Sequence, residues 1–425
     1  MFTFKNKHSK LYSLVSKTKY LYPFKISVII IFIKLIIYNN YFFYNLNQII
    51  FVNKTVNMNQ IKLSLNSNSF HKKNFYIKKG INYLTRCKKQ LLSKNKKIII
   101  NNNIPKISII IPVYNCENTI ELSICSIQNQ NFFDFEILLV NDFSKDNSLK
   151  IIEKIKKYDN RIKILNNKRN MGTLYTRCIG TLNSRGKYIF PLDNDDLFSI
   201  DNLFEIIYKK AELFNYDIIE FKSFSIPNYS PNISEIEESF FNHHPNNLIV
   251  HQPELSLFPI SNNSKYSSND FWIWSKCINS QVYKKAIHAL GKKRYSIYNC
   301  WTEDISIVFI IFQFSNSYLF LNIYGIFHIL SKTTTTFKLK FDDKIFCEIF
   351  LLDILFDFSR NSKESKKYVV YKALRISKQH NITNLKIKTH LYLKSILIKI
   401  FNCKYINNKD RLILKKKFSF NKTLF

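Results

Sequence analysis

Short apolar runs recur through the middle of the chain, and longer segments separate them. The runs consist mostly of Ile, Leu, Val, Phe and Tyr, without a regular alternation of polar positions. This composition is typical of strands that are buried on both faces of a sheet. The predicted strands are Lys106–Pro112, Phe135–Asn141, Arg161–Leu165, Lys187–Leu192 and Tyr216–Phe221.

Segments with helical spacing lie between these runs. Ile120, Ile124 and Ile127 share one side of a helix, and further helices are predicted near Met171–Leu182 and at Asp201–Phe214. Apolar strands that alternate with helices are typical of an α/β fold. We therefore predict a Rossmann-like, mostly parallel sheet with helices on both faces.

The flanking segments differ in character. Residues 1–25 form a basic tail, and residues 26–44 are apolar and about as long as a membrane span. Six lysines precede this span, which favours an uncleaved signal anchor with its N-terminus in the cytosol. The alternative is an apolar helix or strand packed on the main domain. Residues 45–103 are predicted to be a stem or linker, residues 104–335 the main α/β domain, and residues 336–425 a helical, basic C-terminal extension.

The charge is strongly positive, with 64 Lys and Arg against 30 Asp and Glu. The lysines are spread along the chain, and no zinc-finger or RNA-binding aromatic signature accompanies them, so we expect no nucleic-acid partner. The eight cysteines contain no C-x-x-C, which argues against a structural zinc site. Ordinary buried thiols and a few disulfides both remain open.

The strand Lys187–Leu192 leads directly into three carboxylates, Asp193, Asp195 and Asp196. Carboxylates so close together repel one another and favour a bound cation. Mg²⁺ or Mn²⁺ suits oxygen ligands and is often shared between one or two carboxylates and substrate phosphates. The alternative is an acidic turn that caps the next helix.

Polar residues also follow the earlier strands. Asn115, Asp142 and Asp193 each come just after a predicted strand. In an open α/β sheet, ligands bind outside the carboxyl ends of the strands. The sequence thus predicts one binding site at this edge.

Six motifs follow one another in the chain: IPVYN (Ile111–Asn115), LLVNDFSKDNS (Leu138–Ser148), NMGTLYTRCIG (Asn170–Gly180), GKYIFPLDNDD (Gly186–Asp196), WSKCINSQVY (Trp274–Tyr283) and WTEDISIVF (Trp301–Phe309). This succession resembles the family 2 glycosyltransferases with a GT-A fold, and it covers roughly residues 104–331. The resemblance implies an inverting hexosyl- or N-acetylhexosaminyl-transferase. It also implies a UDP- or GDP-sugar donor and a Mn²⁺ or Mg²⁺ cofactor.

The resemblance assigns the donor site to the strand ends. Tyr114 would stack on the base, Asp142 would accept a hydrogen bond from it, and Arg177 would offer its guanidinium to phosphate. The alternatives are a core aromatic for Tyr114, a turn residue in Asp142 and a helix ion pair for Arg177. The implied donor-binding set is Pro112, Tyr114, Glu117, Asp142, Arg177, Asp193 and Asp196.

The resemblance also assigns the reacting groups. Inversion needs a base opposite the leaving group, and the catalytic pair is Asp304, the better candidate, and Glu303. An acidic helix start is the alternative. The implied metal ligands are Asp195 and Asp193 of the DXD motif and His328, and the implied acceptor or sugar residues are Trp274, Trp301 and Lys276.

These inferences favour a single-pass membrane enzyme that faces the secretory lumen, in the Golgi or endoplasmic reticulum of a eukaryote. The acceptor would be a glycan, a protein or a lipid. Two alternatives remain: a cytosol-facing transferase that acts on lipid-linked acceptors, and a catalytically inactive GT-A fold that serves as a binding or partner subunit.

Overall fold

The fold is known from a computed structural model, which describes part of the chain. The predicted tail 1–25 and the apolar segment 26–44 lie outside this part. Within the described part, no helix combines the length and apolarity needed to cross a bilayer. The described residues are 81–83, 85–87, 89, 104–227, 237–238, 249–251, 272–299, 301–330, 340–359, 366, 369–370, 372–373, 387–401, 408 and 411–412.

Strands and helices alternate as the apolar pattern predicts, within one or two residues at the ends of most predicted strands. The strands are β1 (Ile107–Val113), β2 (Phe135–Asn141), β3 (Ile162–Asn166), β4 (Tyr188–Pro191), β5 (Leu197–Phe198), β6 (Ile218–Pro227), β7 (Glu237–Glu238), β8 (Ile249–His251), β9 (Lys276–Asn279) and β10 (Ser317–Leu330). The helices are α1 (Ile120–Gln128), α2 (Ser148–Lys156), α3 (Thr173–Leu182), α4 (Leu203–Phe214), α5 (Ser280–Leu290), α6 (Lys292–Tyr295), α7 (Glu303–Phe314), α8 (Phe341–Phe358) and α9 (Ile387–Phe401).

The sheet is mixed, and this corrects the expectation of a mostly parallel sheet. Its order is β3-β2-β1-β4-β9-β6-β10-β5. The first four strands are parallel neighbours, and β6 and β10 are also parallel. In contrast, β9 runs antiparallel to β4 and β6, and β5 runs antiparallel to β10. With two and four residues, β5 and β9 are too short to stand out in the apolar pattern.

Helices cover both faces of the sheet, as predicted. Ile109 and Ile111 pack in one core with residues of α1, α2 and α4, whereas Ile110 packs in the other with α3, α5 and α7. Successive side chains of a strand point to opposite faces, so one strand supplies both cores. The two helical layers hold the strands in place and leave the carboxyl edge of the sheet for loops.

The C-terminal helices extend the second layer. The buried apolar residues of α8 and α9 belong to the same core as those of α7. Asp353 of α8 accepts hydrogen bonds from Lys399 Nζ at 2.8 Å and from Tyr392 Oη at 3.1 Å. Thr302, just before α7, donates its hydroxyl to the Cys347 carbonyl of α8 at 2.9 Å. The extension therefore anchors the start of α7, where the predicted base lies.

Candidate active site

The carboxyl ends of β1, β2 and β4 meet at one edge because these strands are parallel neighbours. Asn115, Asp142 and Asp193 follow these strands by one or two residues. The structure therefore brings the three predicted polar positions to the same edge of the sheet.

Asp142 organises the loop that follows β3. Its Oδ1 accepts hydrogen bonds from Asn167 Nδ2 and from the Met171 amide, both at 2.8 Å, and its Oδ2 accepts one from the Gly172 amide at 2.9 Å. A carboxylate offers about four acceptor positions. Three are used within the protein, all by the loop after β3, and one acceptor position has no bond to these groups.

The loop around Gly172 also touches the segment before α7. Gly172 has φ +88, and a Cβ there would lie 3.0 Å from the Asn299 amide nitrogen. Asn299 Oδ1 in turn accepts hydrogen bonds from the amides of Trp301 and Thr302, each at 3.2 Å. Asp142 and the start of α7 are thus connected through close backbone packing.

The loops after β1 and β2 are bonded to each other. Glu117, predicted to line the donor pocket, accepts hydrogen bonds from the Asn147 amide and side chain at 2.9 Å, so its Oε2 is used in joining these loops. The Asn115 side chain likewise accepts from the Lys145 amide at 2.8 Å. Asn115 and Phe143 both have positive φ, which is uncommon for a bulky residue such as Phe. Backbone conformations of this kind cluster at ligand sites.

The loop after β4, residues 193–196, is called the acidic loop below. Asn194, which lies between its aspartates, bonds this loop to the sheet. Asn194 Nδ2 donates to the Pro112 carbonyl at 2.9 Å, and the Asn194 carbonyl accepts from the Ser123 hydroxyl of α1 at 2.9 Å. Pro112 therefore contributes its backbone carbonyl oxygen to the contact that positions the acidic loop. Asn194 was not among the sequence-predicted residues, although its position within the motif was a usable signal.

Arg177 of α3 connects the acidic loop to the predicted base. Its guanidinium pairs with Asp193 and lies 3.7 Å from Asp304 Oδ1. The side chain is 2% exposed, and its Nε and Nη1 have no hydrogen-bond partner among the described residues. The sequence left a phosphate contact and a helix ion pair open for Arg177. The structure places its charge between Asp193 and Asp304, two carboxylates from distant parts of the chain, and the phosphate contact stays a prediction.

Asp304 and Glu303 open α7, and both are held in a low-dielectric setting. Burial raises the pKa of Asp304 to about 6, although the Arg177 charge opposes this rise. Burial and the neighbouring Asp304 charge raise the pKa of Glu303 to about 8. Asp304 Oδ1 has no hydrogen-bond partner among the described residues. Of the two, Asp304 is the carboxylate that is ionised at neutral pH.

His328 lies within β10, next to the acidic loop, because β5 pairs with β10. Its Nδ1 is 3.1 Å from Asp196 Oδ1, which also accepts the Ile329 amide at 2.9 Å. Burial lowers the pKa of His328, but the charge and hydrogen bond of Asp196 outweigh it and raise the value to about 9. A histidine that ligates a metal usually gives its other ring nitrogen to a carboxylate in this way.

The side chains near Asp195 suit a divalent cation, but they do not by themselves complete its coordination shell. Burial and the charges of Asp196 and Asp193 raise the pKa of Asp195 to about 8, and a nearby positive charge would oppose this rise. Within the described residues, however, no three His, Cys, Asp or Glu side chains converge as metal ligands. Mg²⁺ usually needs only one or two carboxylates when substrate phosphates complete its shell. Asp195 together with a diphosphate meets that requirement.

The predicted acceptor residues occupy three different settings. Lys276 is fully buried, where Nζ pairs with Glu220 at 2.7 Å and donates to the Trp272 carbonyl at 2.8 Å, so burial keeps it from a sugar or a diphosphate. Trp274 is 3% exposed, and one face of its ring is stacked on the His328 ring, with 4.9 Å between the ring centroids. Trp301 is half-buried, with Lys344 Nζ 4.8 Å from its ring. Trp301 is the one of these three with surface for a sugar.

Tyr114 follows β1 and is half-buried, as a base-stacking residue needs to be.

Asn167, Gly172 and Asn299 also shape the site, and sequence reasoning missed all three. Only Gly172 carried a signal, because the chain has just six glycines. The roles of Asn167 and Asn299 depend on contacts between distant loops.

Known proteins can now be compared with this arrangement. Residues 108–256 match the model of the family described as glycosyl transferase family 2. An uncharacterized glycosyltransferase of Haemophilus influenzae is 43% identical over 95 residues, which are 22% of this chain and 29% of that protein. The hyaluronan synthase of Pasteurella multocida is 37% identical over 100 residues, 24% of this chain and 10% of the synthase. The chain thus spans less than a third of these relatives.

Among solved structures, S. aureus TarS 1-349 in complex with UDP-GlcNAc has a TM-score of 0.52 at 14% identity, over 74% of this chain and 88% of that one. Identity this low shows the fold alone, and the fold class is a mixed α/β sheet of GT-A-like architecture. The family assignment rests on the sequence match and holds for the matched part of the chain: residues 108–256 match a family 2 glycosyltransferase domain. The match confirms the resemblance over the four motifs that lie within residues 108–256.

Proposed function

We propose that this protein is an inverting glycosyltransferase that moves a sugar from a nucleotide diphosphate to an acceptor hydroxyl. The observation that carries the proposal is Arg177, whose buried guanidinium joins Asp193 of the donor edge to Asp304. A transfer reaction needs donor and acceptor groups within bonding distance, and this one side chain links the two sets. The fold neighbour TarS was crystallised with UDP and with UDP-GlcNAc, which supports the same class of donor here.

In the proposed reaction, Asp304 acts as the base. Its Oδ1 takes the proton of the acceptor hydroxyl as that oxygen attacks the anomeric carbon, and the nucleotide diphosphate leaves from the opposite face. A pKa of about 6 leaves Asp304 mostly ionised at neutral pH while keeping it basic enough to accept the proton. Attack opposite the leaving group inverts the configuration of the sugar.

The donor would lie across the carboxyl edge of β1, β2 and β4. Tyr114 would stack on the base, and the remaining acceptor position of Asp142 would take a hydrogen bond from it. Mn²⁺ or Mg²⁺, held by Asp195 and with His328 as a further ligand, would offset the charge that develops on the departing diphosphate. Trp301 is proposed to contact the acceptor.

The decisive experiment is hydrolysis of a panel of nucleotide sugars by the full chain with Mn²⁺, beside Asp195→Ala and Asp304→Asn. We expect one donor to be hydrolysed and both variants to lose most of that activity. If no donor is hydrolysed and calorimetry shows no binding of any donor, the chain is instead a partner subunit or requires a further chain. If a donor binds without hydrolysis, the same assay is repeated with added acceptor sugars, and absence of transfer to all of them would contradict the proposed chemistry.

We propose further that residues 26–44 anchor the protein in a membrane with the N-terminus in the cytosol. The proposal rests on the apolar span and on the six lysines before it. A chain that faces the secretory lumen would carry N-glycans and shift in mobility after glycosidase treatment. No shift in a eukaryotic host would favour the cytosol-facing alternative with a lipid-linked acceptor.

A further inference from the structure

A pair of buried cysteines connects the segment before β1 to helix α1. Cys87 and Cys125 are 0% and 3% exposed, and both thiols are reduced in this structure. Together with Tyr83 they form a small core of their own, against which Leu122 of α1 packs. The segment, called the N-terminal helix below, consists of residues 81–83, 85–87 and 89.

The two sulphur atoms share their neighbours. Asn129 Nδ2 lies 3.3 Å from Cys87 Sγ and 3.2 Å from Cys125 Sγ. The Cys125 thiol donates a hydrogen bond to the backbone carbonyl oxygen of Cys87 at 3.4 Å. A disulfide requires side chains that approach one another from two adjacent backbones. Because Asn129 Nδ2 lies within 3.3 Å of both sulphur atoms, Cys87 and Cys125 bring their side chains to the same point from two separate segments.

The electrostatics prepare one of the two thiols for exchange. The hydrogen bond from Cys125 lowers the pKa of Cys87, and the nearby Arg86 charge adds to this effect against the opposing influence of burial. Thiol–disulfide exchange begins with a thiolate, so Cys87 is the attacking group once local opening of the N-terminal helix exposes its buried sulphur.

We propose that Cys87 and Cys125 form a disulfide bond that fastens the N-terminal helix to α1. The oxidant is a small disulfide such as glutathione disulfide. The Cys87 thiolate attacks one of its sulphurs and releases one glutathione; Cys125 then loses its proton, attacks Cys87 Sγ and releases the second. Two cysteine thiols are oxidised, and one glutathione disulfide is reduced to two thiols.

The disulfide would stabilise helix α1, which contacts the acidic loop. Helix α1 carries Ser123, whose hydroxyl holds the Asn194 carbonyl of that loop. Just after α1, Gln130 Nε2 donates to the Ile200 carbonyl at 2.6 Å. The linkage would therefore join the chain before the domain to the helix beneath the candidate site. A bond of this kind persists in an oxidising compartment, and the inference does not depend on the proposed activity.

The test is to equilibrate the full chain in glutathione buffers from reducing to oxidising, block the remaining thiols with N-ethylmaleimide, and digest it for mass spectrometry. We expect a linked pair of peptides that contains Cys87 and Cys125, that dithiothreitol separates, and that the Cys87→Ser variant lacks. The matched control Cys277→Ser removes another fully buried thiol and should keep the linked pair. Absence of the linked pair in the most oxidising buffer, or linkage of Cys87 to a different cysteine, would overturn the proposal.

Thermal unfolding provides a second readout. Closing the loop between residues 87 and 125 restricts the unfolded chain, so the oxidised protein should unfold at a higher temperature than the reduced one. Cys87→Ser should show no difference between the two buffers. A cross-linked wild type whose unfolding midpoint does not rise would contradict the fastening role.

Discussion

Replacing Arg177 with glutamine should move the pH dependence of catalysis. The guanidinium lies 3.7 Å from Asp304 Oδ1, and both groups are largely shielded from water. At an effective dielectric constant of about 20, two unit charges at this separation interact by about 4 kcal/mol, which corresponds to roughly 3 pKa units. The 13% exposure of Asp304 leaves some solvent screening, so we expect a rise of about 2 units.

The direction of the effect follows from the role of Asp304. A base must be deprotonated, so the rate rises with pH through its pKa, and the Arg177 charge favours the deprotonated form. With the charge removed, the acid limb of the profile should move from near pH 6 to about pH 8. At pH 7 the ionised fraction would then fall roughly tenfold.

The assay is kcat/KM for donor hydrolysis between pH 5 and 10 at saturating Mn²⁺, because this parameter reports groups of the free enzyme. Arg177→Lys is the matched control: it keeps the charge and should hold the acid limb near its original position. Circular dichroism and thermal melts would show that each variant is folded. An acid limb at the same pH in Arg177→Gln as in the wild type would refute the reasoning.

Three further outcomes follow from the same structure. Asp195→Asn should remove the dependence of donor hydrolysis on Mn²⁺ concentration; an unchanged metal titration would exclude Asp195 as a ligand. Gly172→Ala should lower both the unfolding temperature and donor affinity, because φ +88 disfavours a side chain and the new Cβ would press on Asn299; an unaltered calorimetric titration would contradict this. Lys276→Met should destabilise the fold by about 3–5 kcal/mol in urea unfolding, since it leaves the buried Glu220 charge without its cation. The double variant that also replaces Glu220 with Leu should recover most of this loss, and failure to recover would argue against the ion pair as the cause.

The apolar pattern was a good guide to the parts of the fold that are local. The strand at Phe135–Asn141 was predicted to the residue, because a buried strand flanked by polar turns has a distinct composition. The two-residue strand β5 was not predicted, since nothing in Leu197–Phe198 separates a strand from a loop. Its pairing with β10 nevertheless decides that His328 meets Asp196.

In the candidate site, too, some positions could be predicted from the sequence and others could not. Asp142 and Asp193 could be placed together from sequence because the carboxyl ends of parallel strands share one edge. The burial of Lys276 could not be predicted, because its partner Glu220 belongs to a strand more than fifty residues earlier. Ion pairs between distant segments have no periodic signal in a single sequence.

The alternation of strands and helices, the acidic residues after β4 and the family of the matched residues could all be predicted from the amino-acid sequence. These features depend on local composition and on motifs that are contiguous in the chain. Three contacts, in contrast, became visible only in the fold: Arg177 lies between Asp193 and Asp304, Asp196 contacts His328, and Glu117 joins two loops. Each of these contacts depends on which strands become neighbours, and that choice is made by packing of the whole sheet between its two helical layers.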